Sequence, residues 1–205
     1  MVVVALSIVE IEGRRLSSLR PGSAEGWVSI PDPPIDVMHR CMPSLCCVEE
    51  VLYIAGGLDE GGAQSAALQA FDLSTRSWTA RAPVPEPRSN SACVQLAGRL
   101  YVVSGAMLGG DGNMVVPSSV FSYDPRTDRW RSESPLPLGQ YRTSRRLPAL
   151  AAVSHEGRLV VVGLEAAPPL VLVDDVWTEL PMQPFQFRPR FGSAWRPNAA
   201  SLCVG

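Results

Sequence analysis

VLYIAGGLDEGGAQSAALQAFDLSTRSW, residues 51–78, decides the fold. It opens on a near-continuous apolar run, breaks at Gly56-Gly57, resumes at the aromatic-Asp pair Phe71-Asp72 and ends on Trp78. A short β-branched and aromatic run bounded by glycine reads as a strand buried on both faces. Phe71-Asp72 reads as a strand ending in a turn, because an Asp carboxylate accepts from backbone N–H groups two residues on. Trp78 then opens another strand. The same order returns twice: RLYVVSG (99–105) precedes Tyr123-Asp124 and Trp130, and RLVVVGL (158–164) precedes Val173-Asp174 and Trp177. The aromatic stands seven residues before Trp78 and Trp130, whereas Val173 stands only four before Trp177.

Each apolar run follows a tight turn, Glu49-Glu50, Ala97-Gly98 or Glu156-Gly157, and before that turn comes a further strand, at 43–48, 91–96 and 149–154. Four strands therefore make one unit. Trp27, Trp78, Trp130 and Trp177 mark the period, at intervals of 51, 52 and 47 residues. A repeat of that length, built of four-stranded sheets that cannot bury their own faces, is a propeller blade. The units fall at about 1–30 (partial), 43–80, 90–132 and 149–179, and 180–205 supplies an extra strand or starts a next blade. The glycines turn the chain through positive φ and each Trp offers a flat face to the neighbouring sheet, so both are structural marks.

Composition agrees with an all-β class. Hydrophobic residues make up 46% of the 205, enough for a core, and 19 Pro and 17 Gly arrive in short clusters between apolar runs. A net charge of -2 gives no field to gather phosphates, so nucleic acid is not an expected partner. All 18 basic residues are Arg, read here as codon supply rather than chemistry. Cys41, Cys46, Cys47, Cys93 and Cys203 are odd in number and lack framework spacing, so reduced thiols are expected. Cys46 and Cys47 should point to opposite faces of a strand, which makes no metal clip. The apolar start, residues 2–9, is too short to span a bilayer and lacks a basic flank; it reads as a buried strand with Glu10 and Glu12 following. A cytosolic or nuclear location follows, with no membrane partner.

Gly56-Gly57, Phe71-Asp72 and Trp78 together resemble the kelch repeat, and Ser104-Gly105, Tyr123-Asp124 and Trp130 repeat the pattern. The resemblance covers about residues 1–196 and is worn in the third full unit, where Val162-Gly163 replaces the doublet. It implies a kelch-type β-propeller with about four blades present, an incomplete or truncated ring rather than a closed four-blade one.

In kelch proteins that bind peptides, the mouth of the ring is lined by the segment leading into each blade's first strand and by the loop after its second. Aligned on Leu52-Tyr53 and Leu100-Tyr101, Arg40 stands opposite Arg88, Cys41 opposite Ser89 and Met42 opposite Asn90. The third unit offers Tyr141, Arg142, Arg145 and Arg146, and the tail offers Arg188, Arg190 and Ser193. Guanidiniums in a ring would suit an acidic loop or peptide of another protein by bidentate pairing. Charge reversal at Arg88 and Arg142 should then weaken partner capture without unfolding the chain. Loops after the second strands add Asp59, Glu60, Asp111 and Asn113, expected to be solvated turns. The resemblance thus implies a protein-protein interaction module and extends to substrate-recognition propellers of ubiquitin-ligase adaptors.

Two enzyme classes also carry kelch-like propellers. Propellers resembling galactose oxidase need two His and two Tyr around copper, whereas His39 and His155 are the only histidines and read as surface turn residues. A sugar-handling enzyme resembling the sialic-acid mutarotases could use Arg88, Arg142 and Glu165, although their spacing does not demand it. No catalytic residue, metal or cofactor is expected. The third reading is a truncated fragment that does not fold alone and has no activity.

Overall fold

Short apolar runs buried on both faces have no water for their peptide groups, so each must pair with strands on either side. In the computed structural model, which describes residues 8–12, 15–19, 27–31, 42–59, 61–109, 112–140, 150–163 and 168–180, this pairing gives four antiparallel sheets in chain order. The first holds β1 (Ile8–Glu12), β2 (Arg15–Leu19) and β3 (Trp27–Ile30). The second runs β4 (Ser44–Val48), β5 (Val51–Ala55), β6 (Leu68–Asp72) and β7 (Ser77–Arg81). The third sheet takes β8 (Ala92–Leu96) and β9 (Arg99–Val103). Next along the chain comes a separate ribbon of β10 (Met107–Leu108) and β11 (Met114–Val115), after which β12 (Val120–Asp124) and β13 (Arg129–Glu133) complete the third sheet. The fourth is β14 (Ala151–His155), β15 (Arg158–Val162), β16 (Leu170–Val173) and β17 (Val176–Glu179).

The first strands β4, β8 and β14 lie side by side, which sets the sheets around a common axis as blades. Among the described residues the sheets do not close into a ring. Among the described residues the one helical element is the single 3-10 turn Leu138–Gln140, and no helix is long and apolar enough to cross a membrane.

Alternation sends successive side chains of each strand into the joints on either side of its blade. Leu52, Ile54 and Phe71 meet Ile30 of the first blade, while Cys46, Tyr53 and Ala70 meet Cys93, Val102 and Tyr123 of the third. Adjacent Cys46 and Cys47 accordingly enter different joints. Ala92, Val94 and Val103 of the third blade meet Ala152, Leu159 and Val161 of the fourth. At the ends of the blades, Trp78 packs its ring on Phe71 (centroids 4.9 Å apart) and Trp130 packs on Tyr123 (5.1 Å).

The indole N–H groups of Trp78, Trp130 and Trp177 each donate to the preceding blade. Trp78 Nε1 donates to Pro31 O (2.6 Å), Trp130 Nε1 to Ala82 O (2.8 Å) and Trp177 Nε1 to Ser134 O (2.9 Å). Each acceptor stands four residues after the preceding tryptophan, so one contact recurs at every joint. Asp128 adds to it, accepting from Ala82 N (3.0 Å) and Tyr123 Oη (2.6 Å). These two bonds hold its carboxyl below the usual aspartate range, and burial holds the Tyr123 phenol well above its own. In the turns, Asp72 Oδ1 accepts from Ser74 N and Thr75 N, and Asp124 Oδ1 from Arg126 N.

Three expectations are corrected. The first strand runs through Glu10 and Glu12 rather than ending before them; residues 1–7 lie outside the described residues. In the fourth blade the residue facing Trp177 is Leu172, not Val173, because Asp174 and Asp175 close a two-residue turn with φ of 48° and 62°. The loop after β9 is more than a turn: β10 and β11 pair within it, with Asn113 exposed between them and Asp111 outside the described residues. Residues 181–205, expected to hold an extra strand or the start of a blade, lie outside the described residues.

Candidate functional site

Pro83, Pro85 and Pro87 lack N–H donors and keep the chain extended as it leads from β7 into β8. This delivers Arg88 into the joint between the second and third blades, where 1% of it is exposed. Its backbone is stitched to the loop after β5: Arg88 N donates to Ser65 O (3.2 Å) and Gly57 N donates to Arg88 O (2.9 Å). The guanidinium crosses to the third blade. Nη1 donates to Ser104 O (3.0 Å) and Ser119 O (3.4 Å), Nη2 to Ser119 Oγ (2.9 Å) and Glu86 Oε2, and Nε to Glu86 O (3.2 Å). The Phe121 ring lies 4.8 Å from the guanidinium carbon. Burial lowers the Arg88 pKa to about 10, with Glu86 opposing the shift, so the group stays charged at neutral pH.

With all five donors engaged, Arg88 has none left for a partner or for a sugar carboxylate. Its assignment as a partner contact is therefore corrected to a brace between blades. Ser89 is buried beside it, its backbone paired in both directions with Ala106. Asn90 is half-buried at φ 52° and donates its N–H to Met42 O (2.8 Å). Arg40, Tyr141, Arg142, Arg145, Arg190 and Ser193 lie outside the described residues, as do Arg146, Arg188, His39, Glu60, Asp111 and Glu165. His155 ends β14, exposed beside Glu156. Asp59 closes its own loop, its Oδ1 accepting from Ala63 N (2.8 Å).

The glycines explain why Arg88 can pass so close. A Cβ on Gly56, which has φ +66°, would stand 2.2 Å from Arg88 O, and one on Gly105 would stand 2.7 Å from Ser89 O. These marks make room for the segment leading into the next blade.

On the same side of the blades the β10–β11 ribbon carries the most exposed apolar cluster among the described residues: Leu108 at 58%, Met114 at 50% and Val115 at 47%. Leu108 N and Ala106 O turn away from β11 and bond instead to the Gln64 side chain, at 2.6 and 2.8 Å. Leu108 and Met114 therefore face each other as a non-hydrogen-bonded pair, and the peptide groups of Met114 point to the outer edge of β11. No other strand pairs along that edge among the described residues. The ribbon had a sequence signal, apolar Met107-Leu108 and Met114-Val115 flanking a glycine-rich centre; Gln64 had none.

Models of the Kelch motif match residues 39–85 and 87–137, the second and third blades. The chain belongs to the kelch-repeat family. Among its kelch relatives, Kelch-like protein 35 of Mus musculus is 38% identical over 128 residues, 62% of this chain and 20% of that protein. Beta-scruin of Limulus polyphemus is 30% identical over 58% of this chain and 13% of its own length. Kelch repeat and BTB domain-containing protein 12 of Danio rerio is 28% identical over 61% of this chain and 20% of its own. The match thus spans about a fifth or less of each of these proteins. Among solved structures, that of YjhT superposes with a TM-score of 0.51 at 24% identity, covering 64% of this chain and 35% of that one. This likeness shows the kelch-propeller fold.

Proposed function

We propose that this kelch segment is a protein-interaction module, not an enzyme, that meets its partner through the β10–β11 ribbon, with an extended partner segment adding to the outer edge of β11. The observation that carries the reading is a braced hairpin exposing three apolar side chains beside an unpaired strand edge. Strand addition supplies backbone hydrogen bonds for affinity and side-chain contacts for selectivity. Kinship with Kelch-like proteins supports a protein partner, and the BTB domain named in the zebrafish relative supports a place in a larger adaptor of the ubiquitin-ligase type, in the cytosol. A second contact set for an acidic loop would be Arg40, Arg142, Arg145 and Arg190 with Tyr141 and Ser193; Arg88 drops out of it.

Proline at an edge position whose N–H faces solvent removes no ladder bond. Met114→Pro should therefore keep the thermal midpoint while reducing retention of the protein captured by the wild-type chain at least about tenfold, the worth of one or two hydrogen bonds. Met114→Leu should retain it. Undiminished retention by the folded proline variant would refute the ribbon as the contact surface.

A further inference from the structure

We infer that Gln64 is the positioning residue of this surface: its side-chain amide stands in for a peptide unit along β10 and locks the ribbon to the second blade. The inference deepens the interaction reading and depends on it for the partner. Two observations fix the amide at both ends. Its backbone sits at the neck of a loop closed by its own bonds, with Asp59 N donating to Ala63 O (2.9 Å), Gly62 N to Asp59 O (3.0 Å) and Ser65 N to Gly57 O (2.9 Å), and with Leu58 and Gln64 bridged. Its side chain then crosses to the third blade, Nε2 donating to Ala106 O (2.8 Å) and Oε1 accepting from Leu108 N (2.6 Å).

The orientation of the amide is unambiguous, since a backbone donor must face Oε1 and a backbone acceptor must face Nε2. Ala106 O and Leu108 N are spaced as the two groups that one edge of a strand presents to its neighbour. One planar group offering a donor and an acceptor is what that edge requires. An ionised carboxylate lacks the donor, an ammonium lacks the acceptor, and asparagine is one methylene shorter. Ala106 is also anchored independently, because its N–H donates to Ser89 O (2.8 Å) and its carbonyl accepts from Ser89 N (3.0 Å). Among the described residues Leu108 has only Gln64 on that side. The side chain therefore governs the outer half of the ribbon, where Leu108 and Met114 lie, and not its root.

Amide hydrogen exchange on the full chain tests this without any partner, using Gln64→Met and Gln64→Glu. In Gln64→Met, Leu108 should lose protection at least about tenfold, the worth of one net hydrogen bond, while Ala106 keeps its protection. In Gln64→Glu at neutral pH the carboxylate faces Ala106 O and the lock opens. Below the ordinary glutamate pKa of about 4.3 the protonated acid again offers one donor and one acceptor, so the Leu108 protection factor should recover. A substitution acting only through lost packing would show no such acid recovery. Unchanged protection of Leu108 in Gln64→Met, parallel loss at Leu108 and Ala106, or absence of recovery in Gln64→Glu would each overturn the assignment. Retention of the captured partner separates the two ideas: it should fall at least about threefold in Gln64→Met. A variant with an open Leu108 that still holds the partner at the wild-type level defeats the positioning role and leaves the interaction reading standing.

Discussion

Replacing Arg88 with alanine should destabilise the chain by about 3 kcal/mol, seen as a lower urea midpoint at unchanged slope. The loss comes from buried acceptors rather than from surface charge. Ser104 O and Ser119 O each lose the guanidinium donor and keep one other bond, from Ser91 Oγ and from Ser104 N, and the Ser119 hydroxyl loses its Nη2 partner as well. Glu86, whose side chain is 41% exposed, can rehydrate and adds little. Arg88→Lys should recover only part of the loss, because one ammonium cannot serve three carbonyls, a hydroxyl and a carboxylate in a plane. Charge reversal here should unfold the joint instead of sparing the fold. A midpoint within about 0.5 kcal/mol of wild type, the usual range for a surface substitution, would return Arg88 to the surface.

Gly56→Ala should cost as much or more, about 3 kcal/mol, for two reasons that add. Its φ of +66° disfavours any side chain by about 1–2 kcal/mol. Its new Cβ would also stand 2.2 Å from Arg88 O, a backbone atom itself tied to Gly57 N and so unable to retreat. Gly62 separates these causes. It has a similar φ of +80°, but nothing lies within 4 Å of its Cβ position, so Gly62→Ala should show the conformational cost alone. Equal destabilisation by the two variants would show that the close approach of Arg88 does not matter.

Residues whose roles repeat could be read from the sequence, and residues whose roles depend on one distant contact could not. The Trp period and the glycine break after each second strand recur because every joint imposes the same crowding, and crowding selects residue types. Arg88 also recurs, as the counterpart of Arg40, but recurrence does not tell a brace from a ligand. The groups that decide it, Ser104, Ser119 and Phe121, lie 16 to 33 residues away and pair with Arg88 only in the folded joint. Counting back from the Asp selects Val173 where Leu172 faces Trp177, because it assumes one turn length and the fourth blade shortens its turn to Asp174-Asp175. Gln64 is the extreme case: an ordinary loop glutamine until the fold sets it against a strand edge 42 residues on.

The blade architecture rests on Trp78, Trp130 and Trp177 making one and the same contact in successive joints. Isotope-edited NOE spectra, read from the three indole N–H protons, test this directly. They should show Trp78 near the α-proton of Pro31, Trp130 near that of Ala82 and Trp177 near that of Ser134. Indole protons that see only their own hairpins, or three unrelated sets of neighbours, would contradict it.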